Sequence, residues 1–110
     1  MGSKDSIRVI IKKPADKVGT PTHIVPTLER LQEIVEGYIE HVNIDGVSII
    51  CNADGKLIGL EPNFNIVDGF GNLLDTVVGT VIITGVKGEE LADVPLTLRE
   101  WQEYLWRWGN

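Results

Sequence analysis

The sequence predicts an α+β domain: an antiparallel or mixed sheet of five to six strands with two helices, one of them C-terminal. Three observations carry this. Ile7–Lys12 and much of 38–60 alternate between two faces with the period of a strand. Residues 27–37 place apolar side chains at helical spacing. Thr97-Leu98-Arg99-Glu100 is a capping box that opens a Trp-rich last segment.

In the first strand, Ile7, Val9 and Ile11 share one face and Arg8, Ile10 and Lys12 the other. Pro14 stops it, because proline has no N–H for a ladder. The stretch PADKVGTP (14–21) reads as a loop, followed by a short strand at 22–25. Thr27 is placed as the N-cap of the first helix, with Glu29 at the positive end of its dipole. Leu28, Leu31, Ile34, Val35 and Tyr38 form its apolar stripe, and Gly37 suits the left-handed position that ends it.

Asp45-Gly46 and Asp54-Gly55 each suit a two-residue type I′ turn, which needs positive φ at both positions. Together they predict a three-stranded meander over 38–60. Ile44 then faces Val47, Val42 faces Ile49, Glu40 faces Cys51, and Cys51 faces Ile58. Val42, Ile44, Val47, Ile49, Cys51, Ile58 and Leu60 make a core face; His41, Ser48, Ile50, Asn52 and Leu57 lie on the other. Residues 61–75 read as a long loop around Phe64 and Phe70, functional or loosely ordered. A β-rich run follows at 76–86, with Gly79 as a bulge. Gly85–Gly88 turns the chain, and 90–94 pairs back. In the last helix Leu98, Trp101, Leu105 and Trp108 form one stripe, with Tyr104 and Trp106 outside it.

A chain of 110 residues supports a single domain over 1–110 with its own core. Residues 1–5, beginning Met1-Gly2-Ser3, read as an expression remnant or a disordered lead. No apolar run reaches the roughly 20 residues of a membrane span, and the start does not resemble a secretory signal. The expected compartment is the cytoplasm, including that of a bacterial host. The net charge of −6 argues against direct nucleic-acid binding, which favours a basic surface. It leaves open an acidic surface that imitates DNA. The 16 acidic residues are scattered rather than in runs, which also suits a merely solvated surface.

No catalytic constellation emerges. Cys51, the one cysteine, has no base on its own face, since His41 points the other way, and a buried hydrophobe is its expected role. His23 and His41 have no third ligand at a recognisable spacing, so neither metal nor cofactor is expected. Lys12, Lys13 and Lys17 cluster at the end of the first strand, and Lys56 projects from the second Asp-Gly turn. Ammonium groups beside turn N–H donors hold phosphate, although solvated surface lysine explains the same pattern. Lys12, Lys13, Asn52, Lys56 and Asn63 are therefore the candidate ligand-binding residues. Trp106, off the helix stripe, is the candidate interface residue. With both helices expected over one face of the sheet, the other face or an edge must be hidden, which predicts a homo-oligomer.

The stretches VIIKKP, LERLQEIVEGYIEHV, IICNADGKLIGLEPN and VVGTVIITGVKGEE resemble domain of unknown function family 3846, across roughly residues 7 to 96. The Trp-rich helix is less clearly part of that pattern. The resemblance implies small proteins of bacteriophages and mobile elements, mostly in Firmicutes and related bacteria. It supplies no catalytic residues, and it implies a setting in which small non-enzymatic proteins counter host defence. Two functions follow as expectations. One is sequestration of a nucleotide-type signalling molecule near Lys12, Asn52, Lys56 and Asn63. The other is an acidic protein-interaction module, or DNA mimic, that inhibits a host defence enzyme.

Overall fold

The computed structural model describes residues 5–110. Residues 1–4, and with them most of the lead segment 1–5, lie outside the described residues. The element order is β1 (Ile7–Lys12), β2 (Thr20–Ile24), α1 (Leu28–Val35), β3 (Ile39–Ile44), β4 (Val47–Asn52), β5 (Pro62–Val67), β6 (Leu73–Val78), β7 (Val81–Lys87), β8 (Glu90–Ala92) and α2 (Leu98–Arg107). The fold is α+β. Five strands run β2-β1-β7-β4-β3, with β8 paired to the far end of β7, and β5-β6 form a second, two-stranded sheet. All these pairings are antiparallel.

The first Asp-Gly turn folds as expected. Asp45 and Gly46 take φ of 51° and 79°, and Ile44 faces Val47, Val42 faces Ile49, and Glu40 faces Cys51. The second does not. Residues 53–59 coil into consecutive turns, with Ile58 N–H donating to Asp54 O and Leu60 N–H to Gly55 O. There is therefore no third meander strand, and Ile58, expected opposite Cys51, is exposed. Here Asn52 Oδ1 accepts from Asp54 N–H at 2.8 Å in an Asx turn that opens the coil.

The expected loop at 61–75 is mostly β5 and the start of β6, closed by a turn at 68–72. The run 76–86 is likewise two strands. Gly79, at φ 75°, is a corner between sheets and not a bulge within one. Gly85 lies in β7 because Asp93 passes so close that a Cβ there would meet its carbonyl oxygen at 2.1 Å.

α1 begins at its Thr27 cap, whose side chain accepts from Arg30 N–H. It ends one residue earlier than expected, with Glu36 itself in the left-handed region at φ 64°. Only Leu31 and Val35 of its stripe are fully buried, packing on Val9, Ile24, Ile50 and Ile82. Leu28 and Tyr38 point to solvent. α2 keeps its capping box and its stripe. Trp101, Leu105 and Trp108 pack with Phe64, Ile66 and Val77 of the small sheet onto Ile10, Val47, Ile49 and Ile83. Phe64 meets Trp101 edge-on at 5.3 Å and lies parallel to Trp108 at 6.0 Å.

The two helices therefore sit on opposite faces of the large sheet, not together on one. Every residue of β4 is buried as a result, including Ser48 and Asn52 on the face expected to be polar. Among the described residues both faces of the large sheet carry a helix, so of the face or edge from which an oligomer was expected only the edge remains.

Candidate functional site

The predicted ligand-binding residues do not converge on one pocket. Lys12 and Asn63 meet each other where β1 passes the small sheet. The Lys12 ammonium donates to Asn63 Oδ1 at 2.6 Å, and Asn63 Nδ2 donates to the carbonyls of Lys12 and Gly79, each at 2.8 Å. Lys12 is only 3% exposed and lies 5.8 Å from the Phe64 ring centroid. Burial lowers its pKa, and the nearby Asp16 carboxylate partly offsets this.

Asn52 sits under the end of α1. Its Nδ2 donates to Val35 O at 3.1 Å and Glu36 O at 3.3 Å, carbonyls that the helix cannot satisfy itself. Gly37 leaves room for it, since a Cβ there would lie 2.6 Å from Nδ2. Lys56 is exposed and pairs with Asp75 at 2.5 Å; that hydrogen bond, with the carboxylate charge, raises its pKa. Asn52 and Lys56 share the lining of a small pocket of about 190 Å³ with Asp75 and Thr76, whereas Lys13 faces an open groove of about 330 Å³ beside Pro14, Ala15, Leu60, Glu61 and Thr80.

Cys51 is buried as expected. Burial, with Glu40 and Asp75 nearby, pushes its thiol up to about 11, so almost no thiolate exists at neutral pH. His41 faces Ile50, on the opposite side of the strand from Cys51, and its Nδ1 lies 3.3 Å from Ser48 Oγ. Among the described residues no three His, Cys, Asp or Glu side chains group as a metal site.

The most unusual surface lies in the stretch 61–75, expected as a functional or loosely ordered loop around Phe64 and Phe70. In DGFGN, Asp68 Oδ1 accepts from Phe70 N–H at 2.8 Å and Asn72 N–H at 2.9 Å, and its Oδ2 accepts from Asn72 Nδ2 at 3.2 Å. The backbone closes the turn, with Asp68 N–H donating to Asn72 O and Gly71 N–H to Asp68 O. These bonds, the one from Asn72 N–H foremost, lower the Asp68 pKa. The turn is thus fixed in shape, yet it holds Phe70 92% exposed, with Leu73 and Leu74 also in solvent.

Beside this turn lies a cleft of about 480 Å³. Ile44, Leu74, Tyr104 and Trp108 supply its apolar wall, and Asp45, Asp68 and Arg107 its charges. Gly69 and Gly71, the two neighbours of Phe70, form part of the rim. The Arg107 guanidinium lies 4.8 Å from the Tyr104 ring centroid. The signal for this site was an Asp followed by glycines around one aromatic, between two alternating runs. Trp106 stands 62% exposed on α2, outside the buried stripe as its spacing predicted.

Neither the curated proteins nor the solved structures contain a match to the chain. A family model does: residues 7–107 match the domain of unknown function DUF3846, so the α2 helix falls within the pattern too. The chain belongs to that family.

Proposed function

Proceeding from that membership, we propose that this chain is a non-enzymatic binding protein that recognises a partner protein through the Phe70 turn. One observation carries the reading: a turn tied by five hydrogen bonds holds an aromatic ring almost wholly in water. Such a ring gains nothing from folding, and a few well-packed residues, large aromatic ones prominent among them, carry most of the binding energy at protein interfaces. Because the turn is already ordered, little conformational entropy is lost on docking.

Asp68 ties the turn and Asp45 lines the cleft beside it, and the chain carries a net charge of −6. The complementary partner is an apolar pocket rimmed by basic side chains, as on an enzyme that handles nucleic acid. In the phage setting the family resemblance implies, that partner is a host defence protein in the bacterial cytoplasm, with Trp106 a further interface residue. No helix among the described residues is long and apolar enough to cross a membrane.

Affinity capture from host lysate with the parent chain, Phe70→Ser and Phe70→Leu tests this. A protein retained by the parent and Phe70→Leu, weakened at least about 30-fold by Phe70→Ser, and released by salt is the expected result. Equal recovery by Phe70→Ser, or recovery indifferent to salt, refutes it.

The groove beside Lys13 favours a second reading, binding of a small nucleotide-type molecule. A thermal shift with a cyclic nucleotide or an ADP-ribose derivative, abolished by Lys13→Ala, is its signature. No shift across such a panel excludes it.

A further inference from the structure

Apart from the Phe70 turn, the sheet edges differ in a way that identifies a second interaction surface. An exposed edge strand offers unpaired N–H and C=O groups to any passing strand, and proteins usually obstruct it. β2 carries Pro21, which removes a donor, and β8 is only three residues long. On β5, Asn110 stands in for a neighbouring strand: its Oδ1 accepts from Asn65 N–H and its Nδ2 donates to Asn65 O, each at 2.9 Å. On β6, Thr76 N–H is taken by the Asp75 carboxylate at 2.8 Å.

β3 has no such device. It is six residues long, IEHVNI, with no proline, lysine or bulge, and it ends the large sheet. Its outward groups follow from the register. Ile44 and Val47 flank a two-residue turn and form a hydrogen-bonded pair, so residues 38, 40, 42 and 44 bond inward. The Ala53 N–H to Tyr38 O bond at 2.8 Å agrees with this parity. The backbone groups of Ile39, His41 and Asn43 therefore point away from the sheet.

We propose that the β3 edge pairs antiparallel with β3 of a second copy of this chain, about a two-fold axis at His41. The strand is self-complementary in that register. His41 faces its own counterpart, Ile39 faces Asn43, and Glu40 faces Val42, so no two carboxylates oppose each other. Tyr38 faces Ile44 of the second copy. Tyr38, just before the strand, is 72% exposed and would be covered there. A second copy accounts for both the bare edge and the exposed ring, whereas an arbitrary extended peptide accounts only for the edge.

Sedimentation equilibrium at high micromolar concentration tests this, with His41→Lys and Asn43→Pro. His41→Lys places two ammonium groups face to face on the axis. Asn43→Pro removes an N–H that points outward, so the monomer loses no ladder bond. The parent should have twice the 12.2 kDa chain mass, and both variants one chain mass with unchanged circular dichroism. Cys51→Ser/His41→Cys gives a readout that does not depend on those variants folding. A short bis-maleimide should join two copies at position 41 at least tenfold faster than at Cys51→Ser/Glu89→Cys, on the β7–β8 turn. A parent monomer, a dimer that survives both variants, or equal crosslinking at 41 and 89 overturns the proposal.

Discussion

Replacing Asn63 with Ala separates a structural role for the Lys12–Asn63 pair from a ligand-gripping one. Asn63 makes three hydrogen bonds, one accepted from a charged donor and two given to backbone carbonyls. A bond to a charged group contributes about 1.5–3 kcal/mol and a neutral one about 0.5–1.5. The loss should therefore be about 3–5 kcal/mol, since Lys12 is left buried with a charge and no acceptor. For a domain of this size that lowers Tm by about 15–30 °C. The assay is urea or thermal unfolding followed by circular dichroism, run as a cycle with Lys12→Met and Lys12→Met/Asn63→Ala. Methionine has no charge to strand, so the double variant should recover at least about 1 kcal/mol relative to Asn63→Ala. If Asn63→Ala costs less than about 1 kcal/mol and the cycle shows no coupling, the ammonium is hydrated through some opening. The pair would then be free to take a ligand, and the reasoning fails.

Cys51 should react with a maleimide at pH 8 at least about 100-fold more slowly in the folded chain than in urea, because its pKa rises from 9.0 to about 11; equal rates refute the burial argument. The folded thiol holds its proton above pH 9, where the unfolded one loses it, so this group's stability contribution falls as pH rises from about 9 to 11. That loss is at most about 2–3 kcal/mol and should be absent in Cys51→Ala. Lys12 acts in the opposite sense, because its folded pKa is lowered: its penalty is present at neutral pH and fades as pH rises toward 10.5. Lys12→Met should accordingly make the alkaline loss steeper, measured by urea midpoints across that range. Gly37→Ala should cost about 1–3 kcal/mol by forcing Asn52 off the end of α1, and adding Asn52→Ala to it should bring little further loss. Trp101→Ala should cost about 3–5 kcal/mol and Trp106→Ala less than about 0.5, because one ring is buried and the other stands in water.

The elements that alternation and local chemistry specify together were legible in the sequence. The Asp45-Gly46 hairpin, both N-caps and the buried stripe of α2 need only nearest-neighbour information. Asp54-Gly55 misled because the same dipeptide serves two purposes, and both copies follow an Asn by two residues: Asn43 stays in the ladder opposite Ser48, while Asn52 is tied to the end of α1 and takes the Asp54 N–H. The second sheet was hidden by a different cause. Asn63, Asn65 and Pro62 lower the β signal of β5, while the strand is held by Phe64 packing on Trp101 and Trp108, distant in sequence. Lys12, Asn52 and Asn63 looked like ligand residues because polar side chains that serve buried backbone groups and those that serve ligands are the same types. Only knowledge of which carbonyls end up dry distinguishes them. Both helices were expected on one face, with Ser48, Ile50 and Asn52 on the face away from the core. Ser48 and Asn52 instead accept burial, Asn52 through its bonds to α1 and Ser48 beside Thr84, whose hydroxyl donates to its carbonyl.

The central position of β7 also dictates an order of assembly. β1–β2 and β3–β4 are each hairpin-like pairs of neighbours in the chain, and two-stranded units of that size are marginal in water. No strand joins them until Val81–Lys87 inserts between β1 and β4. During synthesis, VSIICN therefore waits with Val47, Ile49 and Cys51, the face turned away from α1, unshielded while at least thirty further residues emerge, a six-residue segment without charge, proline or glycine. The nascent chain is most exposed to misassociation in this interval. A chain whose strand 81–87 is slow to arrive, or is weakened by a substitution such as Gly85→Ala, should be lost to aggregates during synthesis even where the finished domain holds together.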